Sequence, residues 1–383
     1  MAFSGLASNE LNTASLIQRD IADLVRTLSP KETPILDWLG DASFSATSIK
    51  HEFIEDLMLP NTIVNSTAIN SATAATAFQV SPAGIGNALN VGQLLRNESS
   101  APEVMQITSI VSGGNSIVVS RAYDAGTTGS LAPGGTLYVG GAAAVEGADH
   151  SGADTRRLGT ARANTVGLFR MELAQSATQF ALGQVGNDKW EGRKAKGLID
   201  AMRQLENEVV KGVLNGSNSL GTSTTTRTMQ GIQAQLTSIN STITSASFVA
   251  NPHLYVGNVW QAVYDNGGAQ TETWGLIAGS TWYKALADLN DTKVQDSNES
   301  EVFKRRIRTY TGPFGSAEIF LSRVLPATEC LIVPKERIVV PNLQGRSFTY
   351  EDMAKSGDNM KGQIVGEYTL ELYHQSAMGR AHA

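Results

Sequence analysis

From about Asp188 to Leu214, apolar residues recur at three- and four-residue steps: Ala195, Leu198, Ile199, Met202, Leu205, Val209 and Val213. That period predicts one amphipathic helix, with Lys196, Asp200, Arg203, Asn207 and Lys211 on its other side. Asp188 suits the N-cap and Asn215–Gly216 the stop. At 1.5 Å per residue such a helix spans about 40 Å, which suits a spine on which other elements hang. A second amphipathic helix is predicted over Leu11–Leu28, with Ala14, Ile17, Ile21, Leu24, Val25 and Leu28 on one face and Ser29–Pro30 ending it. Little local chain is available to cover that face, so docking on a neighbour and packing in a core stand as equal alternatives. A short turn rich in large apolar groups, Thr33–Gly40, follows, and its Trp38 is expected to anchor the arm to a domain.

From Thr47 to Leu57 the period changes to two, with Ile49, His51, Phe53 and Glu55 facing one way and Lys50, Glu52, Ile54 and Asp56 the other. This predicts a strand polar enough to be exposed on both sides. The next stretch, Leu57–Leu95, carries no charged residue, and its middle, Asn61–Phe78, has little apolar periodicity. It reads either as disordered or as covered by a partner chain. Residues 78–147 predict a compact all-β insertion, with short strands at Val80, Leu94–Leu95, Val104–Val111, Ser116–Tyr123 and Thr136–Val139. Ser112–Asn115 is a hairpin turn and Pro133–Gly135 another. So many short strands in so little chain suggest a small barrel or sandwich. Arg156–Phe169 is extended again and suited to pair with Thr47–Leu57, which would put the insertion at the tip of a two-stranded excursion.

Arg170–Val185 predicts a shorter helix leading into the spine. Leu220–Asn251 is a Ser/Thr-rich loop region with a helical piece near Ile232–Leu236. Val256–Asp265 and Thr281–Leu289 predict helices, the latter turning Trp282 and Leu286 inward, and Val302–Tyr310, Ala317–Leu321 and Glu329–Val333 predict strands. Together Leu254–Val340 has the pattern of an α/β domain. A long strand, Gln363–His374, is expected to close the chain after a turn over Gly357–Gly362.

Composition narrows the function. Charged residues make up 17 % of the 383, against about 25 % in an average soluble protein, so part of the surface is expected to be covered by other chains. A net charge of −6 argues against a nucleic-acid-binding module, which needs clustered Lys and Arg. Cys330 is the single cysteine, which removes disulfide frameworks and cysteine metal sites. The N-terminus lacks the layout of a signal peptide and no long apolar run is present, so folding in a cytoplasm and no membrane span are expected. His51-Glu52 with Glu55 resembles the start of a zinc-protease helix, but Glu55 stands where the second His is needed. The five histidines, His51, His150, His253, His374 and His382, have no shared helical spacing. Walker and nucleophile-elbow motifs are absent. Glu206 and Glu208 form a pair of the kind that serves as catalytic carboxylates, but on a spine helix salt-bridge partners is the better reading. No catalytic, cofactor-binding or metal residue is assigned, and no cofactor.

The order of parts resembles the tailed-bacteriophage major capsid proteins, whose plan encapsulin shells share. The stretches that carry the resemblance are Thr33–Gly40, Arg203-x-Leu-Glu206 leading to Leu214-Asn-Gly216, Ser356-Gly-Asp358 with Val365-x-Glu367-x-Thr-Leu370, and the insertion between Val104 and Gly147. They resemble the branch with a β-rich insertion in the extended loop. The resemblance implies an α+β fold of the tailed-phage (Hong Kong-type) capsid kind: an N-terminal arm over 1–43, an extended loop over 44–77 and 148–169, a barrel-like insertion domain over 78–147, a peripheral domain over 170–219 and 341–383, and an axial domain over 220–340. It implies a structural protein that self-assembles into hexamers and pentamers of an icosahedral head enclosing double-stranded DNA. Its partners would be copies of itself, a portal, a separate scaffolding protein and a decoration protein, without specific DNA binding. An encapsulin-like or other phage structural protein is the alternative, and an enzyme the remote one.

Overall fold

The computed structural model describes residues 33–56, 60–70, 77–81, 83–98, 102–111, 113–123, 128–142, 159–181, 190–212, 219–222, 224–242, 251–293, 309–355 and 357–382. The helix expected over Leu11–Leu28 lies outside them. The first element, α1 (Pro34–Leu39), starts on a proline whose fixed φ suits a first helical turn. Ile35 is fully buried, and Trp38 meets Phe320 with ring centroids 5.1 Å apart. The Trp38 ring lies 2.5 Å from where a Cβ on Gly275 would sit, so that strand position must be glycine for the anchor to close.

Strand β1 (Lys50–Glu55) pairs antiparallel with β8 (Thr160–Thr165) in the register Lys50↔Thr165, so the expected excursion is present. It is not exposed on both sides. Phe53 and Glu55 are buried while Ile54, on the outer face, is 73 % exposed. Between β1 and β8 six strands close a barrel: β2 (Thr62–Asn65), β3 (Ala77–Ser81), β4 (Gln93–Asn97), β5 (Glu103–Ile110), β6 (Ser116–Ser120) and β7 (Thr136–Ala142), in the order β2-β3-β6-β5-β4-β7. The turn between β5 and β6 is the predicted one, with Gly113 and Gly114 at positive φ. Closure leaves no strand edge free. The wall starts at Thr62, inside the stretch assigned to the extended loop. Ile63, Ile69 and Phe78 fill the barrel core, so this part of the charge-free run is covered by its own chain.

Residues 170–176 depart from expectation. Gly167–Ser176 is a strand, β9, and only Ala177–Ala181 (α2) is helical. The segment Arg-Met-Glu-Leu-Ala-Gln is rich in helix formers, but ten consecutive pairings with β17 (Asn359–Tyr368) override that preference. With β16 (Thr349–Met353), which the hydrophobic pattern does not predict, these strands form an antiparallel sheet in the order β16-β17-β9. Asn359–Gly362, expected as turn, are already paired in β17.

The long helix α3 runs over Trp190–Val210, about 30 Å. Its stop is Gly212, not Asn215–Gly216: Gly212 has φ +66°, and a Cβ there would fall 2.1 Å from the Gly231 amide nitrogen. The buried face is also rotated from the predicted stripe. Trp190, Gly197, Ala201, Leu205, Val209 and Val210 are buried, whereas Leu198 is 39 % and Met202 43 % exposed. Gly197 allows the close approach, since a Cβ there would sit 2.9 Å from Ile364 of β17.

The rest of the chain forms α4 (Ile232–Gln235), β10 (Ile239–Thr242), α5 (Pro252–Asp265), β11 (Trp274–Ala278), α6 (Ser280–Lys293), β12 (Thr309–Gly312), β13 (Gly315–Leu321), β14 (Glu329–Pro334), β15 (Ile338–Val339), then, after β16 and β17, β18 (Glu371–Leu372) and β19 (Gly379–His382). A six-stranded sheet has the order β10-β19-β14-β11-β13-β12, with β11/β13 and β10/β19 parallel. Strands β11 and β14 are buried on both sides, and alternate residues serve two cores. Trp274, Leu276, Cys330 and Ile332 pack with α5 and α6, including the inward Trp282 and Leu286. Ile277, Leu331 and Val333 pack with α1 and the C-terminal half of α3. The spine thus lies on the three-stranded sheet at its first half and on the six-stranded sheet at its second. The expected closing strand breaks after Tyr368. The last strand, β19, enters the six-stranded sheet between β10 and β14, although the expected division groups 341–383 with the spine. Gly379 makes this possible, because a Cβ there would lie 2.4 Å from Val259 of α5.

Candidate assembly surface

Three groups of polar side chains fix the parts that face outward. The first holds the base of the excursion. On β1, the His51 ring bonds the Glu371 carboxylate, which also accepts the Tyr373 hydroxyl at 2.7 Å. Glu55 pairs with Arg162 across the ladder and accepts the His374 amide at 2.8 Å. Asn164 on β8 is 2 % exposed and uses all its hydrogen-bonding groups. Its Nδ2 donates to Gln230 O (3.0 Å) and Leu370 O (2.9 Å), and its Oδ1 accepts from Thr165 N and Gln230 N, both 2.9 Å. Glu367 accepts from Arg227 at 2.9 Å and Arg346 at 3.0 Å. Two strands alone are marginal in water. Here the ladder is tied to Gln230 and to residues 370–374 by bonds that would be costly to leave unmade.

The second group lies in the barrel. Glu103 and Arg121 have side chains with no solvent exposure. Arg121 Nε and Nη2 donate to the two carboxylate oxygens at 2.7 and 2.6 Å, a bidentate pair. Nη1 donates to Asn70 O (2.8 Å) and Nη2 to Gly129 O (2.6 Å), while Ala122 N and Gly129 N donate to Glu103 at 2.9 and 2.8 Å. Burial alone would raise the Glu103 carboxyl, but these bonds together outweigh it and hold the group below its ordinary range.

The third group is the junction of arm and spine. Glu206 is buried on α3 and accepts the Leu36 amide of α1 at 3.5 Å. Pro34, Arg203, Glu206, Asn207, Leu321 and Arg323 line one small cleft there. Burial pushes the Glu206 carboxyl up to about 7 despite the α1 amides, with Asp37 adding to the rise. The bond Glu206 makes is therefore to backbone, unlike the salt bridge expected, and burial raises Glu208 also. A carboxyl whose folded value lies above its unfolded one contributes stability that is complete below about pH 4.5 and lost as pH rises through about 7. Thermal stability is expected to fall between pH 5 and 8. Glu206→Gln should flatten that slope and stabilise the chain at pH 8 by about 1–3 kcal/mol. Calorimetry at the two pH values checks this, and an unchanged slope in the variant would assign the effect to another group.

Among the other described histidines, His253 meets the Tyr310 hydroxyl, the His374 ring the Asp56 carbonyl at 3.0 Å and His382 Thr242 at 3.3 Å, while His150 lies outside the described residues. Among the described residues no three His, Cys, Asp or Glu are grouped to hold a metal, and no helix is long and apolar enough to cross a membrane. Large apolar side chains are exposed on separate elements: Ile54 on β1, Phe180 on α2, Leu198 and Met202 on α3, Leu254 and Tyr264 on α5. Asn164, Glu103, Arg121 and Glu371 are anchors that the sequence pattern does not single out. The available signal was an acidic or amide residue on the inward face of a strand, as Glu55 follows Phe53.

The sequence profile of a family described as SU10 major capsid protein matches residues 6–383. No curated protein matches the chain. Among solved structures, a Gordonia phage Cozz chain is 13 % identical with a TM-score of 0.44, over 63 % of this chain and 77 % of that one. A chain of the satellite phage P4 procapsid including size determination (Sid) protein is 12 % identical at 0.39, over 63 % and 78 %. A virus-like particle from Pyrococcus furiosus is 13 % identical at 0.38, over 58 % and 78 %. Likeness this remote decides nothing about function.

Proposed function

Because this chain belongs to the SU10 major capsid protein family over nearly its whole length, we propose that it closes an icosahedral phage head of hexamers and pentamers by non-covalent contacts between neighbouring copies. It is a structural capsid protein rather than an enzyme, it associates with itself in a shell, and its place is the virion. The observation that carries the finer reading is the excursion. Its inner face is bonded into the body through His51, Glu55 and Asn164, and its outer face presents Ile54 at 73 % exposure. A lever built this way suits a contact laid over a neighbour, with Ile54 supplying apolar surface beside the exposed Lys50–Glu52 pair. In the same reading α3 with the three-stranded sheet forms the peripheral domain, and the six-stranded sheet the axial domain around the hexamer and pentamer centres. Assembly takes place in the host cytoplasm, with a portal, a separate scaffold and a decoration protein as partners. Double-stranded DNA lies against the inner wall without specific binding, in keeping with the net charge of −6.

Sedimentation velocity of the purified chain tests the reading. A megadalton boundary is expected once scaffold or crowding is supplied, and a monomer under every such condition would contradict it. The shell is also expected to lack covalent links. No lysine lies between Lys50 and Lys189, so beyond Lys50 at its base the excursion and its barrel lack an amine nucleophile. Cys330 is buried, and burial pushes its thiol up. Boiled particles on a denaturing gel should give one band near 40.7 kDa. A ladder that survives reductant would overturn this.

A further inference from the structure

One edge of the β1/β8 ladder meets the protein and the other is open. Val166 N donates to Ile49 O at 2.9 Å, and in the register Lys50↔Thr165 that bond fixes which main-chain groups face inward. His51, Phe53 and Glu55 point theirs at β8, whereas Lys50, Glu52 and Ile54 point theirs away from it. On β8 the outward groups of Thr165 are taken up by the body. Its amide donates to Asn164 Oδ1 at 2.9 Å and its carbonyl accepts the Thr369 hydroxyl at 3.2 Å. On β1 no hydrogen bond among the described residues engages the outward main chain of Lys50, Glu52 or Ile54. Their side chains are exposed as well. Unpaired N–H and C=O groups in a row on an uncovered strand are a template for another strand.

The side chains on that edge select the strand. A second β1 laid antiparallel matches outward groups with outward groups only in every other register. Glu52 against Glu52 opposes two carboxylates and Lys50 against Lys50 two ammonium groups, both unfavourable. Glu52 against Ile54 leaves each charge without an opposite. The remaining register sets Lys50 of each copy opposite Glu52 of the other, with the two-fold axis passing at His51. We propose that β1 is a two-fold docking edge on which a second copy of the chain lays its own β1 antiparallel, Lys50 opposite Glu52, making one four-stranded sheet of two ladders. The proposal rests on the reading of the chain as a self-assembling shell subunit, and it names the element by which two copies meet. The contact is isologous, so one axis closes both open edges at once. Head-to-tail contacts make rings, and a two-fold contact of this kind joins one ring to the next.

Mixed chains test it, and the buried Cys330 gives no background. Particles are assembled from a Lys50→Cys chain, from a Glu52→Cys chain, and from the two together, then oxidised and quenched before denaturation. Opposed positions lie within disulfide reach, whereas like positions lie on the diagonal, about 7–8 Å apart and past the usual limit. A disulfide dimer is expected to form at least about tenfold faster in the mixture than in either chain alone. Charge gives a second readout. Lys50→Glu and Glu52→Lys chains should each assemble poorly, because like charges then face each other across the axis, and their equal mixture should assemble as the parent does. A pair acting only within its own subunit would not be rescued by mixing, since each chain keeps its own like charges. Parent shells that close while the mixture gives no faster link or no rescue overturn the proposal and leave the shell reading standing. A parent that never assembles overturns both.

Discussion

Arg121→Met is expected to unfold the barrel at temperatures where the parent is intact. The substitution leaves Glu103 ionised with no solvent exposure and frees the carbonyls of Asn70 and Gly129 from their donor. Removing one partner of a buried pair costs about 3–5 kcal/mol, comparable to the whole stability of a small domain. The double variant Glu103→Gln with Arg121→Met removes the stranded charge and should recover a large part of the loss. Calorimetry of the three chains measures this, and equal melting temperatures for the single and double variants would show that the charge is not what destabilises. Acid acts on the same pair. The Glu103 carboxyl lies below its ordinary value, so the stability it contributes is present above about pH 4.5 and lost as pH falls through the folded value. Acid is expected to open the barrel while the Glu206 junction, which protonation favours, is still closed.

Leu205→Asp is expected to abolish soluble folding, whereas Met202→Asp should fold. Leu205 is 4 % exposed in the core shared by α1, α3 and the six-stranded sheet, and an unpaired carboxylate there costs several kcal/mol. Met202 is 43 % exposed, and its carboxylate variant stays solvated in the folded body. Soluble yields decide the main contrast. Insolubility of both variants would mean that the predicted stripe through Leu198 and Met202, not the observed face, meets the core.

That contrast also marks where the sequence was readable. Period and length revealed the spine, but its phase depended on Gly197, which Ile364 of β17 approaches closely, and on the buried Ala201, small residues that a count of large apolar groups passes over. The excursion was readable because β1 alternates and an extended stretch after the insertion is there to pair with it, and the turn before β6 because only glycines take the dihedrals of Gly113 and Gly114 cheaply. Arg170–Ser176 was not, since its residue types favour helix and only the partner strand reveals otherwise. Strand β11, Trp-Gly-Leu-Ile-Ala, has no alternation because both its faces are buried, and β19 is too short to show a period. Polar anchors were the least readable. Asn164 differs from any surface asparagine only through Gln230 and Leu370, which meet it from 66 and 206 residues away.

Electron microscopy of particles assembled from the full chain tests the central claim most directly. Closed isometric shells are expected, with a reconstruction that places each barrel and the Ile54 face of its β1/β8 ladder against a neighbouring copy. Open tubes, unassembled chains, or shells in which the ladder touches only its own subunit would contradict it.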